Sequence, residues 1–312
     1  RHRDGMLHAA SREVLHMQKA MEQMNLKLDN VFSDILGKSG QAIIKAILGG
    51  ERDPYRLSLL ADRRCHKSPD EIVRSLQASW DEAHLFELQQ SYSLYGYYQE
   101  MIAECDGKIE ELTARYAGAG EKPEGECERS GKRIFKKNMV QFDVEKRAFE
   151  LWGVNAMRIP GMSTASLLRL MGELGKDFCS KFPTVKHFVS WCNLVPNNKI
   201  SGGALLSSKV PKKKSPVGQV FRQCANSLAR TKSPLGDYFR HIRAKGGYLQ
   251  AMVATGKKLA TIFYFMVLRK EEYDETMYAN QRRSKAEKEV IYLRKKLERM
   301  QLELCNCKFT NY

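Results

Sequence analysis

The sequence predicts a mainly α protein: a long helical hairpin or coiled coil, then a compact helical domain with a helix-hairpin-helix element, and at most a small β-hairpin near Ser201. Three observations carry that prediction. Apolar residues recur three and four apart over two long stretches, residues 7–35 and 85–116. Proline and glycine fall where helices start and stop. No segment alternates apolar with polar residues over several elements, as a sheet protein must.

The first stretch carries Leu7, Ala10, Val14, Met17, Met21, Met24, Leu28, Val31 and Ile35, a heptad seam. Methionine at three consecutive seam positions makes the stripe adaptable, because the thioether is unbranched. Such a stripe closes on another helix of its own chain or on a second copy, and the sequence leaves both open. Gly37 and Gly40 are expected to end this helix. Asp53-Pro54 then fits an N-cap followed by proline at the first helical position, and Ser68-Pro69-Asp70-Glu71 is a capping box with the same proline. A second long helix is expected from about Asp81 to Tyr116, with Leu88, Tyr95, Ile102, Ile109 and Tyr116 seven apart and Leu85, Tyr92, Cys105 and Leu112 beside them. Two stripes of similar length suggest an antiparallel hairpin or a dimer made from it.

Residues 117–143 read as a linker, since 117–132 are dense in glycine and charge. Helical patterning resumes at Val144. A last heptad stripe, Val290, Leu293, Leu297, Met300 and Leu304, is too short to be stable alone. The expected division is a helical hairpin for assembly (1–116), the linker (117–143), a basic serine-bearing domain (144–283) and a C-terminal helix (284–312).

With 312 residues, 43% hydrophobic and 28% charged, the chain can bury a core, which excludes a disordered protein. Its formal net charge of +16 is concentrated: residues 151–283 hold 22 Lys/Arg against 7 Asp/Glu, whereas residues 1–150 hold 23 against 25. A basic domain of this kind meets a polyanion, because displacing condensed counterions from phosphates drives binding. The charge is scattered over turns and several helices rather than along one amphipathic face, which favours a nucleic acid over a membrane surface. No run approaches the ~18 apolar residues of a membrane span. The first residues, Arg1-His2-Arg3-Asp4-Gly5, lack the apolar core of a signal peptide. Eight cysteines are dispersed, with only Cys305 and Cys307 close together, which fits neither a zinc ligand set nor a disulfide scaffold. Reduced thiols in a cytoplasm are expected, and no metal ligands are assigned.

Gly37-Lys38-Ser39 resembles part of a phosphate-binding loop, but Phe32 stands where that loop needs its first glycine, so a helix terminus is the better reading. Ile159-Pro160-Gly161-Met162-Ser163, followed by Ala165, Leu167, Leu168 and Met171, reads as a helix-hairpin-helix turn. The amides at the start of its second helix could hold a backbone phosphate, with Gly161 and Ser163 at the turn.

The turn Pro196–Gly203 places Ser201 on glycine-permitted backbone shortly before Lys209, Lys212, Lys213 and Lys214. A hydroxyl beside concentrated positive charge is what attack on a phosphodiester requires. Ser-Gly-Gly is also a common plain turn, so the local residues leave both readings open. Arg222 lies in the next helix, with Phe221, Ala225 and Leu228. His187 and His241 are the histidines nearest in sequence that could take a proton. Arg240 and Arg243 lie one helical turn apart, and Lys257–Met266 is apolar enough to be a core helix whose aromatics pack rather than stack on bases.

Met17-Gln18-Lys19-Ala20, Met24–Leu28, Ser33-Asp34-Ile35, Ala46-Ile47-Leu48 and Gly50–Pro54 resemble the coiled-coil region of the insertion-sequence family one-ten transposases. So do Ile159-Pro160-Gly161, Phe188 with Ser190-Trp191, Leu194-Val195-Pro196, Ser201-Gly202-Gly203, Leu235-Gly236 with Phe239-Arg240, and Lys258-Leu259-Ala260, in order up to about Tyr278. The resemblance implies a site-specific DNA recombinase that moves an insertion element; members include pilin-gene invertases, and some are guided by a structured bridge RNA. Family enzymes join an N-terminal RuvC-like nuclease domain, whose acidic cluster binds magnesium, to a coiled coil and a C-terminal domain bearing a nucleophilic serine.

By its place in Ser-Gly-Gly that serine corresponds to Ser201, which would form a covalent phosphoserine link to cleaved DNA. Lys258 joins Gly161, Ser163, Lys209, Lys212, Lys213, Lys214, Arg222, Arg240 and Arg243 as the expected DNA contacts. Arg1 lies at the coiled-coil side of the family pattern, so the nuclease domain is expected to be missing and Mg2+ to belong there, with no cofactor bound by these residues. Lys257 stands where many members have histidine, and Ser215-Pro216 opens the helix carrying Arg222. The expected partners are element DNA, a guide RNA and further copies of the chain through the coiled coil, without a membrane, in a bacterial or archaeal cytoplasm. The alternative is a non-catalytic DNA-binding or regulatory remnant of a transposase.

Overall fold

Helix α1, His2–Gln23, buries Arg3, Met6, Ala10, Glu13, Met17 and Ala20, a stripe three and four residues apart, together with Met21. The computed structural model describes residues 1–118, 125–131, 138–211, 214–276, 287 and 290–301. They fold as helices with a single two-stranded sheet among them. The chain divides into two units, Arg1–Glu111 and Leu112–Tyr312.

In the first unit, the sequence-predicted helix is shorter than its apolar spacing suggests. Met24 caps α1 and Asn25 takes a left-handed φ of 61°, which no regular helix continues through. Beyond it Leu26, Leu28, Ile35 and Leu36 enter the core from a 3-10 turn and irregular backbone, so the spacing past Met24 belongs to a loop wrapped on the core. Gly37 and Gly40 open a helix rather than close one. Gly37 is the N-cap of α2, Lys38–Leu48, and a Cβ at Gly40 would lie 2.1 Å from the Ile35 carbonyl oxygen.

The two proline-marked starts are where the sequence puts them. Asp53 Oδ1 accepts from the Tyr55 amide at 3.0 Å and begins α3, Pro54–Ser58. Ser68 and Glu71 complete both bonds of the capping box of α4, Pro69–Ser75. Helix α5 runs Glu82–Gly118, with Asp81 capping the amides of Ala83 and His84.

Helices α1 and α5 run antiparallel. Arg3 donates Nε and Nη2 to the buried Asp106 carboxylate, Met6 and Ala10 pack with Ile102, and Met17 and Met21 share a cluster with Leu88. The methionine stripe therefore closes within one molecule.

The second unit contains α6, Val144–Trp152; α7, Thr164–Leu174; α8, Phe178–Lys181; α9, Val185–Trp191; strands β1, Lys199–Ser201, and β2, Ala204–Ser207; α10, Pro216–Ser227; and α11, Pro234–Arg269. Side chains of Asp143, Ser163, Thr184, Ser215 and Ser233 accept the first free amides of α6, α7, α9, α10 and α11, which satisfies donors that no helical carbonyl can reach. The core is aromatic. Phe263 stacks on Phe178 at 5.4 Å and meets the edge of Trp152 at 5.0 Å, and Phe188 lies edge-on to Phe221. Phe263 and Tyr264 are thus packing residues, as the sequence predicts for the Lys257–Met266 segment.

One expectation changes in this unit. Part of the presumed linker, residues 125–131, is held against α6 and its neighbours: Ser130 N donates to Glu145 Oε1 at 2.6 Å, and Asn155 Nδ2 donates to the Glu128 carbonyl at 2.7 Å. Helix α11 is, by length and composition, apolar enough to cross a membrane, although strict counting of apolar runs finds no such segment. As folded it is no straight rod. Gly247, at φ 84° and ψ 176°, breaks it, and Lys258 Nζ lies 4.5 Å from the Tyr238 ring, residues that a straight helix would hold about 30 Å apart. Its second half supplies Leu259, Ala260, Ile262, Phe263 and Tyr264 to the core.

Residues 290–301 are helical, with Val290, Leu293, Leu297 and Met300 exposed. Leu304, Cys305 and Cys307 lie outside the described residues, as do linker residues 119–124 and 132–137.

Candidate nucleic-acid interface

Ser201 ends β1 of a two-residue hairpin. Gly202 and Gly203 form the turn with φ of 56° and 77°, both in the left-handed region, which is what the tight turn matching strand twist demands and what glycine takes without strain. Ile200 faces Leu205 and Ser201 faces Ala204 across the ladder. Lys199 pairs with Ser207, so Leu206 is an extra, bulged residue of β2.

Residues 196–206 are exposed throughout, so the Ser201 hydroxyl stands in solvent rather than in the core. Lys199, which the sequence reading leaves out, lies two residues before Ser201 and by strand alternation shares its face. That alternation was the available signal.

The base of the hairpin is tied down. Asn197 N donates to the Lys209 carbonyl at 3.0 Å, and Asn193 Nδ2 donates to the Pro211 carbonyl at 2.8 Å. Arg222 donates Nη2 to the Asn193 carbonyl, at a residue whose φ of 59° ends the turn after α9. Arg222, expected to contact DNA, is therefore a strut beneath the hairpin, with its Nε buried and without a hydrogen-bond partner. Below the same strut, burial pushes the Cys192 thiol well above its ordinary value, which keeps it protonated and inert.

The other expected contacts separate into two groups. Lys209, Lys214 and Arg243 are exposed cations, and Arg243 also lies over the Tyr248 ring at 5.6 Å. Lys258 is half-buried over Tyr238, and Arg240 donates to the carbonyls of Thr231 at 2.8 Å and Ala229 at 3.3 Å and to Asp237, which fixes the start of α11. Lys212 and Lys213 lie outside the described residues.

At the predicted helix-hairpin-helix turn, Gly161 has φ 84° and sits against α10, where an added Cβ would lie 2.5 Å from the Cys224 carbonyl oxygen. Ser163 is exposed, and its Oγ accepts from the Ser166 amide at 3.2 Å. The glycine thus serves a close helix approach. His187 Nδ1 lies 2.8 Å from Thr184 Oγ1 at the N-terminus of α9, and His241 is exposed.

The charge around the hairpin is one-signed. Residues 178–236 hold ten Lys/Arg and no Asp/Glu, and the flanking Asp237 is bound by Arg240. Such a segment attracts phosphate and repels no part of a nucleic-acid backbone. It does not fit a magnesium ion, which takes carboxylate oxygens. Among the described residues no group of three or more His, Cys, Asp or Glu is placed to hold a metal.

Residues 154–240 match the family model described as the Transposase IS116/IS110/IS902 family, a span that runs from before the Gly161 turn through the hairpin and α10 into the first turns of α11. The earlier resemblances over residues 17–54 and at Lys258-Leu259-Ala260 fall outside that span. No curated protein and no solved structure matches the chain. The exposed serine hairpin thus lies near the middle of the span, residues 154–240, that is similar to the IS116/IS110/IS902 transposase family.

Proposed function

We propose that the chain is the DNA-handling part of a transposase that moves insertion-element DNA, with Ser201 as its nucleophile. The observation that carries this reading is an exposed, glycine-turned serine inside an acid-free, lysine-rich segment that lies wholly within the family match. In the reaction, Ser201 Oγ attacks phosphorus. A serine–phosphorus ester forms, the bond from phosphorus to one sugar oxygen breaks, the hydroxyl proton passes to a base, and the departing sugar oxygen gains a proton. The phosphoserine ester conserves the bond for rejoining to a second strand. Lys199 and Lys209 are the cations available to stabilise charge on the phosphorane oxygens.

The carboxylates that the family resemblance pairs with this serine are not among the residues around it. The proposed serine chemistry calls for a RuvC-like nuclease domain in the assembly, with further copies of the chain and a structured guide RNA as its other components. The rival reading is a DNA-binding regulatory remnant in which Ser201 has no chemical task.

Trapping on a nicked element-end duplex, with the nuclease domain supplied, separates the two. The unmodified chain gives a denaturant-resistant DNA adduct, and Ser201→Ala loses it while binding the duplex with affinity within about threefold. No adduct from either protein supports the remnant; an adduct that persists in Ser201→Ala moves the nucleophile to Ser207 or Ser208.

A further inference from the structure

The Ser201 hairpin presents three large apolar side chains to water: Ile200 is 65% exposed, Leu205 58% and Leu206 68%. Ile200 and Leu205 are direct cross-strand partners and form one apolar blade, while the bulge sends Leu206 out of register beside it. Nothing about the fold needs them there. The hairpin is anchored through its base by the Asn197, Asn193 and Arg222 bonds, and its turn is set by two glycines, so an apolar tip projects from a fixed base.

Its surroundings specify the occupant. Lys199 lies on the hairpin itself, Lys209 and Lys214 follow it, and no acidic residue occurs from residue 178 to 236. An apolar protein partner would meet this collar of unpaired cations, and a lipid surface would take the blade without using a tight turn. A nucleic-acid duplex satisfies both parts: phosphates on the outside accept the lysines, and the stacked bases inside accept apolar side chains pushed between them.

We propose that Ile200, Leu205 and Leu206 form a wedge that enters a DNA duplex and unstacks a base step beside Ser201. This deepens the transposase reading and rests on it. Opening the step next to the serine would bend the strand outward and bring its phosphorus to a hydroxyl that a closed duplex would hold at the groove's edge. The wedge makes no sequence-specific demand, since every base step offers an apolar stacking gap.

The test compares a fully paired 40-base-pair duplex of mixed sequence with the same duplex carrying a two-nucleotide bulge flanked by 2-aminopurine. A wedge does part of its work on an unstacked site in advance. The unmodified chain is therefore expected to bind the bulged duplex at least about tenfold more tightly, a difference of about 1.4 kcal/mol, and to raise the 2-aminopurine fluorescence. I200S/L205S/L206S should lose both the preference for the bulged duplex and the fluorescence rise. I200M/L205M/L206M should restore both. Equal binding of the two duplexes by the parent, or a triple-serine variant that keeps the preference, overturns the wedge and leaves the DNA reading standing. Failure of the parent to bind either duplex overturns both readings. A fall in oligomer mass on the triple-serine change, measured by light scattering, would instead make the blade a surface for self-association and also overturn the wedge.

Discussion

Replacing Gly161 by alanine separates a packing role from a DNA-contact role at the turn before α7. Gly161 holds φ 84°, which costs a residue with a Cβ about 1–2 kcal/mol. The new methyl would also stand 2.5 Å from the Cys224 carbonyl oxygen, 3.1 Å from Ser227 Oγ and 3.2 Å from Leu228 Cγ. The closest of these is helix backbone, which cannot swing aside, and such overpacking costs about 1–3 kcal/mol more. Together the destabilisation is about 2–5 kcal/mol, which for a unit of this size lowers Tm by about 4–20 °C.

Differential scanning calorimetry reads this directly, and Gly172→Ala is the control. Gly172 lies in α7 with nothing within 4 Å of its added Cβ, so alanine there should stabilise by about 0.5–1 kcal/mol. DNA affinity of Gly161→Ala, measured well below its Tm, should stay close to that of the parent. An unchanged Tm with a tenfold loss of DNA binding would refute the packing argument and make this turn a phosphate contact.

Three further outcomes follow from particular contacts. Arg3→Met strands the buried Asp106 carboxylate and should cost the first unit about 3–5 kcal/mol in urea unfolding, most of which the double change Arg3→Met/Asp106→Leu should recover. Asp62 is held down at a pKa of about 2, chiefly by its side-chain bond from Arg64 and then by the Arg64 amide. A carboxylate with a lowered folded pKa stabilises above its unfolded value of about 3.9 and loses that contribution as pH falls toward 2, so Asp62→Asn should flatten the dependence of Tm on pH between about 4 and 2. The double change Lys209→Gln/Lys214→Gln should reduce the slope of log affinity against log salt by about 2, because each lysine that neutralises a phosphate contributes about 1; an unchanged slope would remove both from the interface.

Much of the fold was legible because its signals are local. A capping side chain and its amide are three residues apart, so Asp53, Ser68 and the start of α6 at Val144 could be read directly. The Ser201 hairpin was readable from Gly202-Gly203 for the same reason, since only glycine takes two successive positive φ angles cheaply. What failed depended on distant partners. The apolar spacing of residues 24–35 imitates a heptad seam although Asn25 ends the helix, because a loop over a core also buries every third or fourth residue.

The site shows the same limit. Arg222 and Arg240 are arginines in a basic region, which by composition suggests phosphate contacts; their carbonyl partners at Asn193, Ala229 and Thr231 become visible only when the chain is folded. Gly161 reads as a turn residue, whereas the Cys224 carbonyl that requires it comes from α10. Lys199 was overlooked for the opposite reason: its place beside Ser201 needs only strand alternation, but the strand is three residues long and too short to announce itself.

The central claim is that Ser201, and no other hydroxyl, captures DNA phosphorus. Mass spectrometry of a trapped adduct tests it most directly. Trypsin cutting after Lys199 and Lys209 releases Ile200–Lys209, which holds Ser201, Ser207 and Ser208 in one peptide. The account predicts that fragmentation of this peptide locates the nucleotide mass on Ser201. A nucleotide on Ser207 or Ser208, or on any peptide outside Ile200–Lys209, would contradict it.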